Sequence, residues 1–182
     1  ILRGEVRWCQ GYSEPGVGFD LASLQTRALD QGDYYEINGT KIWTSNAYMS
    51  DWMFCLVRTN SQARKHEGIN FVLLNMREIG LSVNQIDLIN GERECCQVFF
   101  DGVRAYKADL VGVENEGWAI AKRLLQFERS AVGGGSFIPR PLPLPDLLAR
   151  YAPVDESARA RVLGIEMDRE SYRLTQAKAA EE

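Results

Sequence analysis

The sequence predicts an α+β chain in which an antiparallel β-sandwich or barrel domain is followed by helices. Two observations carry that reading. Up to Gly112, apolar runs of strand length recur with turn signals about every 8–12 residues, the spacing of antiparallel all-β domains. From Glu116 to Val132 the period changes. Apolar residues there recur three and four apart, with no proline to interrupt a helix. The predicted division is residues 1–112 for the β domain and 113–182 for the start of a helical domain.

In chain order, Ile1–Cys9 is an apolar lead into a loop, Gln10–Asp20, which reads QGYSEPGVGFD. Leu21–Thr26 is a short irregular or single-turn segment. Strands are predicted over Arg27–Leu29, Tyr34–Asn38 and Lys41–Thr44. The turn signals between them are Asp30–Asp33 and the dipeptide Asn38-Gly39, a strong hairpin signal between alternating segments. Trp52–Arg58 and Gly68–Leu74 follow, joined by the polar loop Thr59–Glu67. Leu81–Val83, Cys95–Phe100 and Val103–Tyr106 complete the β part. After the helix Glu116–Val132 come Gly133–Gly135 and prolines at 139, 141, 143 and 145, a run that reads as an extended crossover or linker. Asp155 is a candidate N-cap for a second helix running towards Glu182, with Val162, Ile165 and Tyr172 on one side. A helix that stops at Glu182 with no cap and no partner suggests a piece of a longer chain.

Composition narrows the chemistry. With 182 residues, 45% apolar and 25% charged, the chain is of ordinary globular composition. A net charge of −4 carries no footprint for nucleic acid or an anionic membrane surface. No apolar run is long enough to span a bilayer as a helix. The four cysteines, Cys9, Cys55, Cys95 and Cys96, have no CxxC spacing and read as reduced thiols. His66 is the single histidine, which leaves no zinc cluster and no natural base for a serine or cysteine nucleophile. Chemistry here must use carboxylates or a cofactor.

Three stretches could supply it. In the Gln10–Asp20 loop, Pro15 pre-sets a turn, while Gly16 and Gly18 admit positive φ and close approach. Such a loop is either a plain turn or a cradle for a phosphate or a polar ring edge. It is not the dinucleotide fingerprint, because no third glycine and no parallel unit surround it. In Lys41–Ala47 (KIWTSNA), Trp43 and Ser45 stand two apart, so an extended segment would put an indole and a hydroxyl on one face. That face suits a flat heteroaromatic ligand, or the indole is simply buried in a sheet. On the helix, Lys122, Arg123, Gln126, Arg129 and Ser130 fall on one half. Ile120, Ala121, Leu124, Leu125, Ala131 and Val132 fall on the other, with Glu128 near its middle. A carboxylate there either pairs with a neighbouring arginine or is held with a raised pKa, as a base near neutrality requires.

Taken together, these blocks resemble the acyl-CoA dehydrogenase family. The resemblance rests on SEPGVGFDLASLQTRA (Ser13–Ala28), NGTKIWTSNA (Asn38–Ala47), SDW (Ser50–Trp52) and LVRT (Leu56–Thr59). It continues through EGINFVLLNM (Glu67–Met76), GERECCQVFFDGVR (Gly91–Arg104), LVGVENEGW (Leu110–Trp118) and LLQFERSA (Leu124–Ala131). The blocks stand in family order over about two thirds of the chain. They imply the middle β domain and the start of the C-terminal helical domain.

The resemblance implies FAD as cofactor and an acyl-CoA thioester as substrate, oxidised to the trans-2-enoyl product within fatty acid metabolism. It assigns Tyr12 and Ser13 to the pyrimidine edge of the flavin, through backbone groups and the hydroxyl. Gly18 and Phe19 fall at the pyrophosphate, Trp43 on the isoalloxazine, and Thr44 and Ser45 beside it, with Ser45 reaching N5. Phe19 and Arg129 are assigned to the substrate's surroundings, and Lys65 and His66 lie near where the family meets the CoA phosphates. In most members the catalytic glutamate lies late in the C-terminal region. In a minority it lies on the first helix of that domain immediately before an arginine, and Glu128-Arg129 matches that placement; a later glutamate is the other possibility. Phe19 departs from a common serine, and Ala105-Tyr106 from a common Val-Pro. The family implies an electron-transfer flavoprotein or similar acceptor, a homo-oligomer (usually a tetramer), and a cytoplasmic or, in a eukaryote, mitochondrial matrix location. Alternatives of the same fold are an acyl-CoA oxidase or other flavin oxidase, and a non-catalytic subunit of a heteromeric dehydrogenase.

Overall fold

Eight strands form one sheet in the computed structural model, which describes residues 3–17, 19–133, 146, 149 and 156–181. They are β1 (Trp8–Gly11), β2 (Arg27–Asp30), β3 (Tyr34–Ser45), β4 (Trp52–Arg58), β5 (Ile69–Asn75), β6 (Leu81–Gln85), β7 (Cys95–Tyr106) and β8 (Leu110–Val111). Helix α1 spans Gly117–Gly133 and α2 spans Glu156–Glu181. The order across the sheet is β6-β7-β3-β2-β4-β5-β8, with β1 paired to β4 off that path. Pairing is antiparallel except for β1 with β4 and the single β2–β4 match, Arg27 with Arg58. A sheet-rich domain followed by helices is therefore the architecture.

The core shows how the sheet closes on itself. Tyr35 and Ile37 of β3, Met53, Cys55 and Val57 of β4, Val72 and Leu74 of β5 and Val98, Phe100 and Val103 of β7 join one cluster. β5 and β7 are not neighbours in the order, so the sheet curls to bring their inner faces together. Burial of these aliphatic and aromatic side chains is the main driving force for the domain. All four cysteines are free, with Cys96 buried and adjacent Cys95 only half-buried, as alternation across a strand requires.

The strands differ from the sequence expectation in one instructive way. Asn38-Gly39 does not turn a hairpin. β3 runs straight through it, and β7 runs straight through Asp101-Gly102 opposite. The register shifts between Ile37 and Gly39, so the two dipeptides face each other at a bulge. Asn38 Oδ1 accepts the Gly102 N–H at 2.9 Å there. Gly39 has φ +152°, and a Cβ on it would lie 2.7 Å from the Thr26 Cα. The glycine serves close packing of β2's lead-in against β3, a use that a two-strand hairpin pattern does not reveal. The strands β1 and β8 were not anticipated; both are short and flanked by loops.

Helix α1 starts where a hydrogen-bonded junction delivers it. Asn115, in left-handed backbone, gives its N–H to Asn70 Oδ1, and the Thr59 hydroxyl donates to Asn115 Oδ1 at 2.8 Å. Gly117 follows, where a Cβ would meet the Phe71 N–H nitrogen at 2.4 Å. The helix thus begins pressed onto β5, and only glycine fits. Ala121 is fully buried, with Trp118, Ile120, Leu124 and Leu125 packed beside it against Tyr12, Leu24, Leu56, Ile69 and Phe71. The exposed positions Lys122, Arg123, Gln126 and Arg129 are those the periodicity put on the outer half.

The chain divides into two compact units, Ile1–Ser130 and Ala131–Glu182. Within the second, α2 carries ion pairs Glu166–Arg169 and Glu170–Arg173 at i,i+3 spacing. Its Leu163, Ile165, Met167, Tyr172 and Leu174 are exposed. The proline run at 139–145, Gly134, Gly135 and the expected cap Asp155 lie outside the described residues, as does Gly18.

Candidate active site

The Gln10–Asp20 loop is held by a buried ion pair that the sequence reading did not single out. Lys41 of β3 is fully buried and gives its ammonium to Glu14 Oε1 at 2.8 Å and to the Tyr12 carbonyl at 3.0 Å. The Glu14 carboxylate also accepts the backbone N–H groups of Gln25 and Thr26, at 2.6 and 2.9 Å. Burial pushes the Glu14 carboxyl up, but the Lys41 charge and these donors outweigh burial and hold it below the usual carboxylate range. The Ser13 carbonyl accepts the Ile42 N–H at 2.9 Å, and Val17 closes a turn on the Glu14 carbonyl. One lysine thus fixes the backbone of the loop from beneath. The signal in the sequence was a lysine inside a strand-length apolar segment, two residues before Trp43.

The strand beneath the loop carries a second bulge. The register with β7 shifts between Lys41 and Thr44, and Trp43 sits at φ 61°. Simple alternation from buried Lys41 would turn Trp43 inward. The bulge reverses this: Trp43 is 57% exposed, Thr44 goes inward, and Ser45 is exposed. Trp43 and Ser45 both lie on exposed positions, reached through a bulge and a left-handed residue and not by the plain alternation of an extended strand. Left-handed backbone costs about 1–2 kcal/mol for an ordinary residue, and such strain collects at ligand sites. Thr44 Oγ1 is buried with no hydrogen-bond partner among the described residues.

Tyr12 divides its roles. Its carbonyl belongs to the loop, but its side chain is buried in the cluster beneath α1, edge-on to Phe54 and Phe71 with centroids at 6.1 and 6.3 Å. Its hydroxyl has no hydrogen-bond partner among the described residues. Burial first, and the negative charge of Glu128 second, push that hydroxyl well above the usual tyrosine range. Glu128 is half-buried on the α1 face that carries Ala121, Leu124 and Leu125, and no ion pair involves it among the described residues. Arg129 is exposed, about 100° further round the helix, so the two neighbours point in different directions.

Phe19 is fully exposed at the loop's end. Beyond it, Asp20 accepts the Ser23 hydroxyl at 2.7 Å and pairs with Lys65, whose hydrogen bond holds the Asp20 carboxyl low. His66 lies beside the Trp118 ring, with centroids 5.2 Å apart. Lys65 and His66 are thereby tied to the loop and to α1.

These parts make a consistent chemical set. An exposed indole, a neighbouring hydroxyl at Ser45 and a glycine-bearing loop fit a flat heteroaromatic ring with polar edges, whereas Thr44, expected beside the ring, is turned inward by the bulge and does not face that side. A carboxylate in partly apolar surroundings on α1 fits a proton acceptor.

Comparison with known proteins identifies the family of the chain. The acyl-CoA dehydrogenase middle-domain model matches residues 9–103. The acyl-CoA dehydrogenase IpdE1 of Mycobacterium tuberculosis is 44% identical over 122 residues, covering 67% of this chain and 32% of its own. The acyl-CoA dehydrogenase FadE34 of the same organism is 39% identical over 141 residues, covering 78% of this chain and 20% of its own. The chain therefore spans about a third or less of the length of these curated relatives. Among solved structures, the Tcur3481-Tcur3483 steroid ACAD aligns with TM-score 0.82 at 32% identity, over 97% of this chain and 47% of that one. The ChsE4-ChsE5 complex from Mycobacterium tuberculosis aligns with TM-score 0.63 at 36% identity, over 68% of this chain and 32% of that one. With the family model covering more than half of its length and the fold matching over almost all of it, this chain belongs to the acyl-CoA dehydrogenase family.

Proposed function

We propose that the protein containing this chain oxidises an acyl-CoA thioester to the trans-2-enoyl-CoA, with Glu128 taking the α-proton. The observation that carries the reading is the placement of half-buried Glu128 on the α1 face that carries Ala121, Leu124 and Leu125, the face packed against Tyr12 of the β domain. FAD, when bound, would supply the acceptor for the β-hydride. The chain's own residues then have separable tasks. Trp43 offers a flat apolar surface for the isoalloxazine, and Ser45 offers a hydroxyl to its polar edge. The backbone at Tyr12 and Ser13, pinned by Lys41 and Ile42, keeps the loop in one conformation for the pyrimidine edge. Phe19 leaves the pyrophosphate to backbone donors, since it brings no hydroxyl. Glu128 holds the proton it removes on its carboxylate, on the helix face that also carries Leu124 and Leu125.

The full-length protein tests this directly. It should purify with, or take up, a flavin whose absorbance bleaches anaerobically with an acyl-CoA, releasing a 2-enoyl-CoA. Absence of flavin after reconstitution, or bleaching without enoyl product, would contradict it. Rapid reoxidation of the reduced flavin in air would move the reading to an acyl-CoA oxidase, whereas reoxidation by electron-transfer flavoprotein supports the dehydrogenase.

A second reading has specific support. The ChsE4-ChsE5 structure is a complex, and Phe19 stands fully exposed where a serine is common in the family. Both favour a subunit that works with a second, related chain. The protein purified alone would then fail to bleach with acyl-CoA and gain activity on mixing with that chain.

A further inference from the structure

We propose that Arg58 is a positioning residue for acyl-CoA binding: its guanidinium clasps two loops by their backbone and so holds the basic run Arg64, Lys65 and His66 in place for the phosphate-bearing end of the substrate. The proposal deepens the reading of acyl-CoA as substrate, and its binding half rests on that reading.

The clasp is built of hydrogen bonds to backbone carbonyls. Arg58 ends β4 and is half-buried. Its Nε donates to the Leu24 carbonyl at 3.4 Å and its Nη2 to the Ala22 carbonyl at 2.6 Å, in the segment that follows the glycine-bearing loop. On the other side, Nη1 donates to the Glu67 carbonyl at 2.8 Å, and Nη1 and Nη2 both donate to the Lys65 carbonyl at 3.2 Å. A guanidinium has five N–H donors, and these bonds engage every one of them. Arg58 therefore has no donor left for a ligand, and it acts through the two segments that it joins.

The loop on the far side of the clasp is ordered and basic. The Arg64 carbonyl accepts the Glu67 N–H at 2.8 Å, and the Thr59 and Asn60 N–H groups both reach the Gly68 carbonyl, so the loop closes on itself. Gly68 sits at φ +67°, and a Cβ on it would lie 2.4 Å from the Asn60 carbonyl oxygen. Arg64, Lys65 and His66 are consecutive and exposed. Lys65 pairs with Asp20 of the first segment, and the His66 ring lies against Trp118 of α1. Setting Asp20 and Glu67 against Arg58, Arg64 and Lys65, the joined segments are net positive within a chain of net charge −4. A positive, pre-ordered loop favours an anionic group, because the cost of ordering it is met before binding.

The test uses the full-length flavoprotein and two thioesters of one acyl group, on CoA and on pantetheine, which lacks the nucleotide phosphates. Arg58→Lys keeps the charge and removes the five-donor fork. Its dissociation constant for the acyl-CoA should rise by about tenfold, while that for the acyl-pantetheine and the saturated rate of flavin reduction stay within about twofold. Arg64→Gln, at an exposed position, should lower the preference for CoA over pantetheine by itself, and Arg58→Lys should then add little in the double variant. Amide exchange at Asn60 and Glu67 should quicken by at least about tenfold in Arg58→Lys. Equal weakening towards both thioesters, or none towards either, overturns the binding role, and unchanged exchange overturns the clasp. If Arg58→Lys does not fold, an unchanged preference in Arg64→Gln overturns the proposal and a lowered one supports it. Unaltered protein whose flavin bleaches with neither thioester sinks the acyl-CoA reading by itself, and the exchange rates then still decide the clasp.

Discussion

Lys41 Nζ lies 2.8 Å from Glu14 Oε1, with the lysine side chain fully buried and the glutamate nearly so. The pair ties β3 to the loop that precedes the first buried turn, and its hydrogen bonds reach the Tyr12 carbonyl and the Gln25 and Thr26 amides. Removing one partner leaves a buried, uncompensated charge. Lys41→Met in the full-length protein should lower unfolding stability by about 3–5 kcal/mol, read from urea denaturation. Lys41→Met combined with Glu14→Leu should recover much of that loss, because an apolar pair leaves no orphan charge. Two additive losses would contradict the buried-pair account.

The same pair sets an acid limit. Glu14 has a folded pKa below its unfolded value, so its contribution is present above the unfolded carboxylate range, about pH 4.3, and is lost as pH falls through the folded value. The melting temperature should drop as pH is lowered below about 4. Glu14→Gln should start from a lower plateau and lose less over the same window. Parallel curves for the two proteins would show that Glu14 does not drive the transition.

Much of this was legible in residues. The period change near Glu116 located α1 within one residue, and the buried and exposed halves of the helix through Arg129 followed from 3.6-residue spacing. The apolar runs at Trp52–Arg58 and Gly68–Leu74 emerged as the paired strands Trp52–Arg58 and Ile69–Asn75. What failed was local turn chemistry. Asn38-Gly39 and Asp101-Gly102 have hairpin composition, but they serve opposing bulges in two long strands, and only the register between β3 and β7 reveals that. Trp43 and Ser45 were found on exposed positions, yet the bulge that turns Trp43 outward past buried Lys41 depends on cross-strand pairing that a linear pattern does not contain. Glu14 and Lys41 are far apart in sequence and individually ordinary, so their pairing had no local signal.

Gly39 offers a direct check on that bulge. Gly39→Ala places a Cβ against the Thr26 backbone at 2.7 Å and forces a side chain to φ +152°. Stability should fall by about 1–3 kcal/mol, measured by chemical denaturation. A replaceable turn glycine would show a loss of a few tenths only.

Trp43 separates folding from ligand binding. It pays for left-handed backbone at φ 61° while leaving its indole exposed. Trp43→Asn, whose side chain tolerates that conformation, should leave the apoprotein as stable or up to about 1 kcal/mol more so. Retention of FAD should fall clearly in the same variant, followed by flavin release on dilution. Lower apoprotein stability with unchanged flavin retention would make Trp43 a packing residue instead.

The most direct test of the functional account is single-turnover flavin reduction in the full-length Glu128→Gln protein. The amide keeps the shape of the side chain on the α1 face beside Leu124 and Leu125 and removes its ability to take a proton. With Glu128 as the base, the variant retains FAD, binds acyl-CoA, and bleaches slower by at least ~10² under anaerobic mixing. Bleaching within a few-fold of the unaltered protein, with a lowered melting temperature, would contradict the account and make Glu128 a structural residue.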